Sequence, residues 1–168
     1  MNAIPSASAE PPGPSAHLPR TVALLGYGGL LPFGALALLL VLDGARSALW
    51  WPALRAYGAV ILSFVGALHW GFAMALPGLG AAQRQRLWVW SVVPALVAWP
   101  AQLWAGPGTA VLLVAGFLAH YTQDRWLVVQ TGAALPAWYL PLRTRLTLVA
   151  SVCLLAGAVA VAVARVGP

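Results

Sequence analysis

The chain has 168 residues, of which 61% are hydrophobic and 7% charged, with a formal net charge of +6. Soluble domains have roughly 25% charged and about 45–50% apolar residues, so this composition excludes a soluble globular protein and predicts one dissolved in the lipid bilayer. All nine basic residues are arginines, and they are dispersed at the ends of apolar runs. This dispersal excludes nucleic acid as a partner, because no basic patch is formed.

In chain order, residues 1–20 come first and are rich in proline, alanine and serine, which predicts a disordered tail. The remainder, residues 21–166, is predicted to be a single transmembrane domain. Its first apolar run would form about 33 Å of helix, enough for a hydrocarbon core of roughly 30 Å. Five such runs predict five spans, at residues 21–42, 56–76, 87–105, 109–125 and 146–164.

Glycine and proline mark where these predicted helices bend or stop. Pro32, set among several glycines, predicts a kink in the first span, and Gly106-Pro107-Gly108 separates the third span from the fourth. Residues 126–142 are apolar but interrupted by two prolines, a glycine and a glutamine, so we interpret them as a short interfacial or re-entrant segment. The predicted fold class is therefore all-α, an integral membrane bundle with an interfacial segment before its last helix.

The arginines also predict orientation. With five spans, six arginines fall on the side of the N-terminus and three on the opposite side. Because basic residues concentrate on the cytoplasmic side of membrane proteins, the N-terminus is predicted to be cytoplasmic and the C-terminus periplasmic. The predicted location is a bacterial inner, or plasma, membrane.

Three ionisable residues lie at membrane depth, where such groups are costly and are candidates for function. His69 and His120 lie on parallel helices at nearly the same predicted depth, in the inner half of the membrane. Asp124 follows His120 by one helical turn, so both project from one face. Asp124 could contact His120, or it could pair with an arginine near the inner interface; the candidates are Arg86, Arg125 and Arg143.

Four interpretations of this cluster remain open from the sequence. The polar groups could simply hold the bundle together, or they could form a substrate or proton pathway. They could bind a quinone or a lipid headgroup between aromatic walls, for which the candidates are Trp70, Tyr121 and Trp126. Finally, His69 and His120 could ligate a haem b from two facing helices.

Other chemistries have less support in the sequence. Zinc needs three or four ligands, and only the two histidines and Asp124 could supply them, so no metal site is predicted. Cys153 is the only cysteine, which excludes a disulfide within the chain. The sequence contains none of the common hydrolase, metalloprotease or nucleotide-binding motifs. Enzymatic activity is left open, and no cofactor is assigned.

Two stretches resemble a small membrane family of unknown function whose eukaryotic member is transmembrane protein 69. The first is Tyr57-Gly58-Ala59-Val60-Ile61-Leu62-Ser63-Phe64 with Gly66 and His69-Trp70-Gly71, and the second is Gln123-Asp124-Arg125 followed by Pro136-Ala137-Trp138-Tyr139-Leu140-Pro141-Leu142-Arg143. The resemblance implies a bacterial or mitochondrial inner-membrane protein with about five spans and implies no activity. It draws attention to the polar residues in its motifs, namely His69, Trp70, Gln123, Asp124 and Arg143.

Together with His120 and Arg125, these residues make up the predicted polar cluster. The leading functional hypothesis is a non-enzymatic accessory, structural or assembly component of a larger inner-membrane complex, with the lipid bilayer as its immediate partner. The alternative is a small carrier, quinone-binding or haem-binding membrane protein that uses the His and Asp residues of the inner leaflet.

Overall fold

The protein was analysed as a computed structural model that describes residues 17–131 and 135–166. Most of the predicted tail, residues 1–16, lies outside the described residues. The described residues of the chain form α-helices and connecting turns, and they include no β-strand. The helices are α1 (Arg20–Gly28), α2 (Leu31–Leu42), α3 (Ser47–Ala75), α4 (Ala81–Ala101), α5 (Gly108–Thr131) and α6 (Tyr139–Val166), and a short 3₁₀ turn at Gly44–Arg46 joins α2 to α3. The all-α prediction is confirmed.

The first predicted span is broken into α1 and α2 at Gly29 and Leu30. Pro32 lies in the first turn of α2, where its missing N–H costs nothing because that group would have no intrahelical acceptor. The Tyr57 hydroxyl donates a hydrogen bond to the carbonyl of Gly29 (2.8 Å). A side chain from α3 therefore satisfies a carbonyl at the break, as a kinked helix in lipid requires.

Helix α3 is the centre of the bundle, since it packs against α2, α4, α5 and α6. Its inward face carries leucines that meet leucines of the neighbouring helices in a continuous core. Four of these leucines are completely buried: Leu54, Leu62, Leu113 and Leu154. They fill the middle of the bundle and separate two polar regions, one near each end.

Three helical stretches among the described residues are long and apolar enough to cross a membrane, namely Arg20–Leu42, Gly44–Ala75 and Tyr139–Arg165. Helices α4 and α5, with 21 and 24 residues, have comparable length but carry more polar side chains. The chain is thus a membrane bundle of long apolar helices, and the count of five spans stays a prediction.

Residues 126–142, predicted to be interfacial or re-entrant, are helical at both ends. Helix α5 continues to Thr131, past its predicted end at residue 125, and α6 begins at Tyr139, well before residue 146. Residues 132–134, which include Gly132, lie outside the described part. Pro141 occupies the first turn of α6, where a proline removes no intrahelical hydrogen bond. Pro141 therefore belongs to the start of a helix, and Pro136 lies in the connection just before it.

Candidate functional site

The polar residues predicted at matched depth meet inside the bundle, where α3 and α5 approach their C-terminal ends. His69 on α3 and His120 and Asp124 on α5 are all completely buried. The two imidazole rings are in edge-to-face contact, with centroids 4.7 Å apart and planes at 77°. We call these residues, with Tyr139 and Arg143 of α6, the Asp124 cluster.

Small residues bring the helices of the cluster close together. Gly66, one turn before His69, faces Pro94 of α4 so tightly that an added Cβ would lie 2.7 Å from the proline Cγ. Gly116, one turn before His120, is pressed against Leu62 in the same way, with a Cβ placed 2.6 Å from a leucine methyl. This spacing allows α3, α4 and α5 to approach until their polar side chains touch.

Asp124 is neutralised from α6. Its Oδ2 accepts a hydrogen bond from Nε of Arg143 at 2.8 Å, and its Oδ1 accepts one from the Tyr139 hydroxyl, also at 2.8 Å. A carboxylate in a low-dielectric interior needs both a counter-charge and donors for its lone pairs. The first two turns of α6 supply them. Of the three arginines that could have paired with Asp124, Arg143 is the one selected.

The two histidines differ in their hydrogen bonds. Trp90 of α4 donates from its indole Nε1 to Nδ1 of His120 at 3.1 Å. Because an indole can only donate, Nδ1 carries no hydrogen, and the neutral ring must carry it on Nε2. Nε2 of His120 and Nε2 of His69 both lie 3.7 Å from Oδ1 of Asp124, beyond hydrogen-bond distance. Neither ring nitrogen of His69 has a partner.

Three potential metal ligands meet in the cluster, although the sequence analysis predicted no metal site. One ligand atom each from His69, His120 and Asp124 lies within 4.8 Å of the others. Two neighbours oppose a divalent ion. Trp90 directs its donor at His120 so that the hydrogen falls on the metal-facing nitrogen, and Arg143 already cancels the only negative charge. A bound dication would leave a large uncompensated charge at membrane depth.

The haem and quinone hypotheses also fit this geometry poorly. Ligation of a haem by both histidines would place the haem between His69 and His120, whose rings are in direct contact. The proposed aromatic walls of a quinone site do not converge on the cluster. Trp70 is 52% exposed on the outer face of α3, Tyr121 is hydrogen-bonded to Thr144, and Trp126 is covered by the Arg86 guanidinium 3.8 Å from its ring.

Of the remaining residues predicted for the cluster, only Arg143 joins it. Gln123 accepts two hydrogen bonds from Arg86 at the surface, and Arg125 is exposed. Sequence reasoning missed Tyr139 and Trp90. Tyr139 lies one turn before Arg143 on the same helix face, a signal that becomes visible only if α6 begins at residue 139.

The cluster residues lie within the part of the chain that matches known proteins. Residues 18–159 match a family model described as "Protein of unknown function (DUF3429)". The chain belongs to this family. It is also 36% identical over 138 residues to Transmembrane protein 69 of Xenopus tropicalis, which covers 79% of the chain. The chain spans about half the length of that relative, 51%. No solved structure matches it.

Proposed function

We propose that this protein is a non-enzymatic accessory, structural or assembly component of a larger membrane complex. The observation that carries the proposal is a row of small residues on the outer face of α3. Ala67, Gly71 and Ala75 recur every four residues and are all exposed. Apart from its chain neighbours and the backbone of its own helix, nothing lies within 4 Å of where a Cβ at Gly71 would be. The row is therefore a shallow groove on the surface of the bundle.

Large side chains border this groove. Phe64, Trp70 and Met74 are 52–68% exposed and form ridges beside it. Lipid chains give helices no hydrophobic reason to associate, so contacts between membrane helices depend on close packing, for which small residues between ridges are suited. The occupant we propose is an apolar transmembrane helix of another subunit.

The interior of the bundle supports the same role. The carboxylate of Asp124 is paired within the protein, since it accepts hydrogen bonds from Arg143 and Tyr139. Beyond the cluster, the completely buried leucines of the core fill the space between the helices. A bundle closed in this way resembles a scaffold more than a route for a polar substrate.

For the location, we propose a bacterial inner membrane, with the N-terminus in the cytoplasm and the C-terminus in the periplasm. The contacts of the arginines support this orientation. Arg84 donates to the carbonyl of Ala73, Arg86 to Gln123, and Arg145 to the Tyr27 hydroxyl (3.1 Å). All three lie at the same end as Asp124, so that end carries most of the positive charge, as expected of a cytoplasmic face.

The test is isolation of the tagged full-length chain from its native membranes in a mild detergent, followed by determination of the particle mass and protein content. The wild type should elute as a large particle with defined membrane partners, and Gly71→Leu should lose them. Gly34→Leu is the matched control, since Gly34 of α2 is also exposed with open space around it. A small particle containing only this chain would rule out the proposal.

One observation favours a second function, a proton pathway through the bundle. His69 is completely buried with both ring nitrogens unpartnered, which is unusual for a polar group at membrane depth. In vesicles loaded with a pH-sensitive dye, an imposed potassium potential should then drive proton entry through the wild type and not through His69→Gln. His17→Gln, at an exposed histidine, is the control. Flux no higher than in protein-free vesicles would reject this function.

A further inference from the structure

A second buried arginine lies at the opposite end of the bundle from Asp124. Arg55 of α3 is 6% exposed, and its Nη1 donates to the carbonyl oxygens of Ala101 and Trp104, at and just beyond the C-terminus of α4. Gln102 returns a hydrogen bond to the carbonyl of Arg55 at 3.2 Å. Carbonyls at a helix C-terminus lack intrahelical donors, so Arg55 caps α4 from the neighbouring helix.

These contacts do not balance the charge of Arg55. Within residues 17–131 and 135–166 the acidic residues are Asp43 and Asp124, and they pair with Arg46 and Arg143 respectively. The partners of Arg55 are neutral carbonyls, and its Nε is buried without any partner. A buried cation without a counter-ion is costly, so the site favours binding of an anion.

Arg55 borders a cavity of about 370 Å³ between the start of α3 and the end of α6. Arg165 and Ser47 also line it, and none of its lining residues among the described part of the chain is acidic. The rest of the lining is mainly apolar and includes Trp51 and Val161.

The carbonyl of Ala105 links α3 and α6 at this cavity. It accepts a hydrogen bond from the indole of Trp51 at 3.0 Å and another from Nη2 of Arg165 at 3.3 Å. Trp51 also lies under the Arg55 guanidinium, whose carbon is 5.8 Å from the ring centre. Arg55 from α3 and Arg165 from α6 therefore each line the cavity while contacting main-chain carbonyls, and this partial preorganisation lowers the entropic cost of binding.

We propose that this cavity binds the phosphate group of an anionic phospholipid. Guanidinium groups pair with phosphate oxygens through directed, charge-assisted hydrogen bonds, so two arginines on one cavity can hold a lipid phosphate. The apolar lining suits the glycerol and upper acyl region of a lipid, which inorganic phosphate lacks. Exposed Trp104 beside the site (62% exposed) is the kind of residue found at headgroup level.

The experiment uses the purified, delipidated full-length chain in a neutral detergent. Native mass spectrometry measures the bound lipid after addition of phosphatidylglycerol, phosphatidylcholine or inorganic phosphate. The wild type should retain phosphatidylglycerol in preference to phosphatidylcholine. Arg165→Gln should weaken phosphatidylglycerol binding about fivefold, which corresponds to the loss of one basic contact near the membrane surface.

Two variants keep the test decisive. Arg46→Gln is the matched control, because Arg46 is exposed at the same end and does not line the cavity, so binding should be unchanged. Arg55→Lys keeps the buried positive charge but loses the planar, bidentate geometry of the guanidinium, so it should bind phosphatidylglycerol more weakly. Equal retention of both lipids, or equal loss in Arg46→Gln and Arg165→Gln, would overturn the proposal. Displacement of phosphatidylglycerol by millimolar inorganic phosphate would overturn the choice of a lipid.

Discussion

The two ends of this bundle each bury an arginine, and they satisfy it in different ways. Arg143 contacts the carboxylate of Asp124 directly, at 2.8 Å, so its charge is balanced within the protein. Arg55 contacts main-chain carbonyls and faces a cavity. The Asp124 end is thus electrostatically complete, whereas the Arg55 end acquires a counter-charge only if something binds there. Burial of a charged side chain alone does not distinguish a structural role from a binding role.

The packing around the two arginines differs as well. Near Asp124 one close approach, Gly116 against Leu62, meets a leucine, but another, Gly66, meets the rigid ring of Pro94. Near Arg55, Gly157 meets the flexible ends of Leu54 and Leu40. The proline contact holds α3 and α4 at a fixed distance beside the paired side chains of Asp124 and Arg143. A contact made by leucine methyl groups can adjust, which suits an end that accommodates a ligand.

The strongest test of the comparison removes the one charge that distinguishes the two ends. Asp124→Asn leaves Arg143 buried without a counter-ion, and breaking a buried pair in this way costs about 3–5 kcal/mol. We expect a large drop in the free energy of unfolding, measured by denaturant titration in detergent micelles. A stable variant that no longer admits protons in the vesicle assay would instead favour the proton pathway.

The control for this variant is Asp43→Asn. Asp43 also pairs with an arginine, Arg46, at 3.5 Å, but the side chains are 30% and 71% exposed. A solvent-exposed pair contributes about 0–1 kcal/mol, so this substitution should change stability little. A comparable decrease in the free energy of unfolding in Asp124→Asn and Asp43→Asn would mean that burial does not determine the strength of the Asp124–Arg143 pair.

The second prediction compares the two close helix contacts. A Cβ at Gly66 would lie 2.7 and 2.9 Å from Cγ and Cβ of Pro94, and a proline ring cannot rotate away. Gly66→Ala should therefore lower the free energy of unfolding by about 1–3 kcal/mol, the usual cost of overpacking. Gly157→Ala should cost less, although its nearest contact is 2.5 Å, because Leu54 can change rotamer. Thermal unfolding of both variants measures the difference, and the reverse order would contradict it.

The sequence predicts part of this site because burial of polar residues in apolar runs is conspicuous. His69, His120 and Asp124 are identified from their apolar surroundings and helical spacing alone. The partner of Asp124 could not be chosen, because several arginines lie near the same interface and the choice depends on where α6 begins. The prolines around Tyr139 resemble helix breaks until the structure shows that Pro141 occupies a first turn.

The Arg55 cavity could not be predicted from the sequence for a related reason. An arginine one turn after Trp51 has the spacing of an interfacial anchor, and nothing local to it indicates burial. Its environment is made by the end of α4 and the end of α6, which are distant in sequence. The spans, whose apolar runs are continuous, are predictable locally, whereas sites formed between span ends require the packing.

The third prediction tests how the hydroxyl of Tyr139 completes the Asp124 end. Tyr139→Phe removes a hydrogen bond to a buried carboxylate, and bonds to charged groups contribute about 1.5–3 kcal/mol. Tyr121→Phe removes a bond of similar length, 2.7 Å, between two neutral hydroxyls of Tyr121 and Thr144 and should cost about 1 kcal/mol. Denaturant unfolding of the two variants should rank them in that order. An equal decrease in the free energy of unfolding would indicate that a hydrogen bond to the Asp124 carboxylate is no stronger than one between neutral hydroxyls.

The smallest expected effect concerns a single hydrogen inside the Asp124 cluster. The indole of Trp90 forces the hydrogen of His120 onto Nε2, so ¹⁵N NMR of histidine-labelled protein should show one tautomer for this residue. Trp90→Phe should shift that tautomer equilibrium while lowering stability by about 1 kcal/mol or less. Trp88→Phe, at the more exposed tryptophan of the same helix turn, should leave the His120 signals unchanged.

The same substitution tests whether Trp90 keeps metal ions out of the cluster. Because the shifted tautomer turns a lone pair of His120 toward Asp124, Trp90→Phe should bind zinc more tightly than the wild type. Zinc binding as tight in the wild type as in Trp90→Phe would show that the tautomer does not protect the cluster from metal ions.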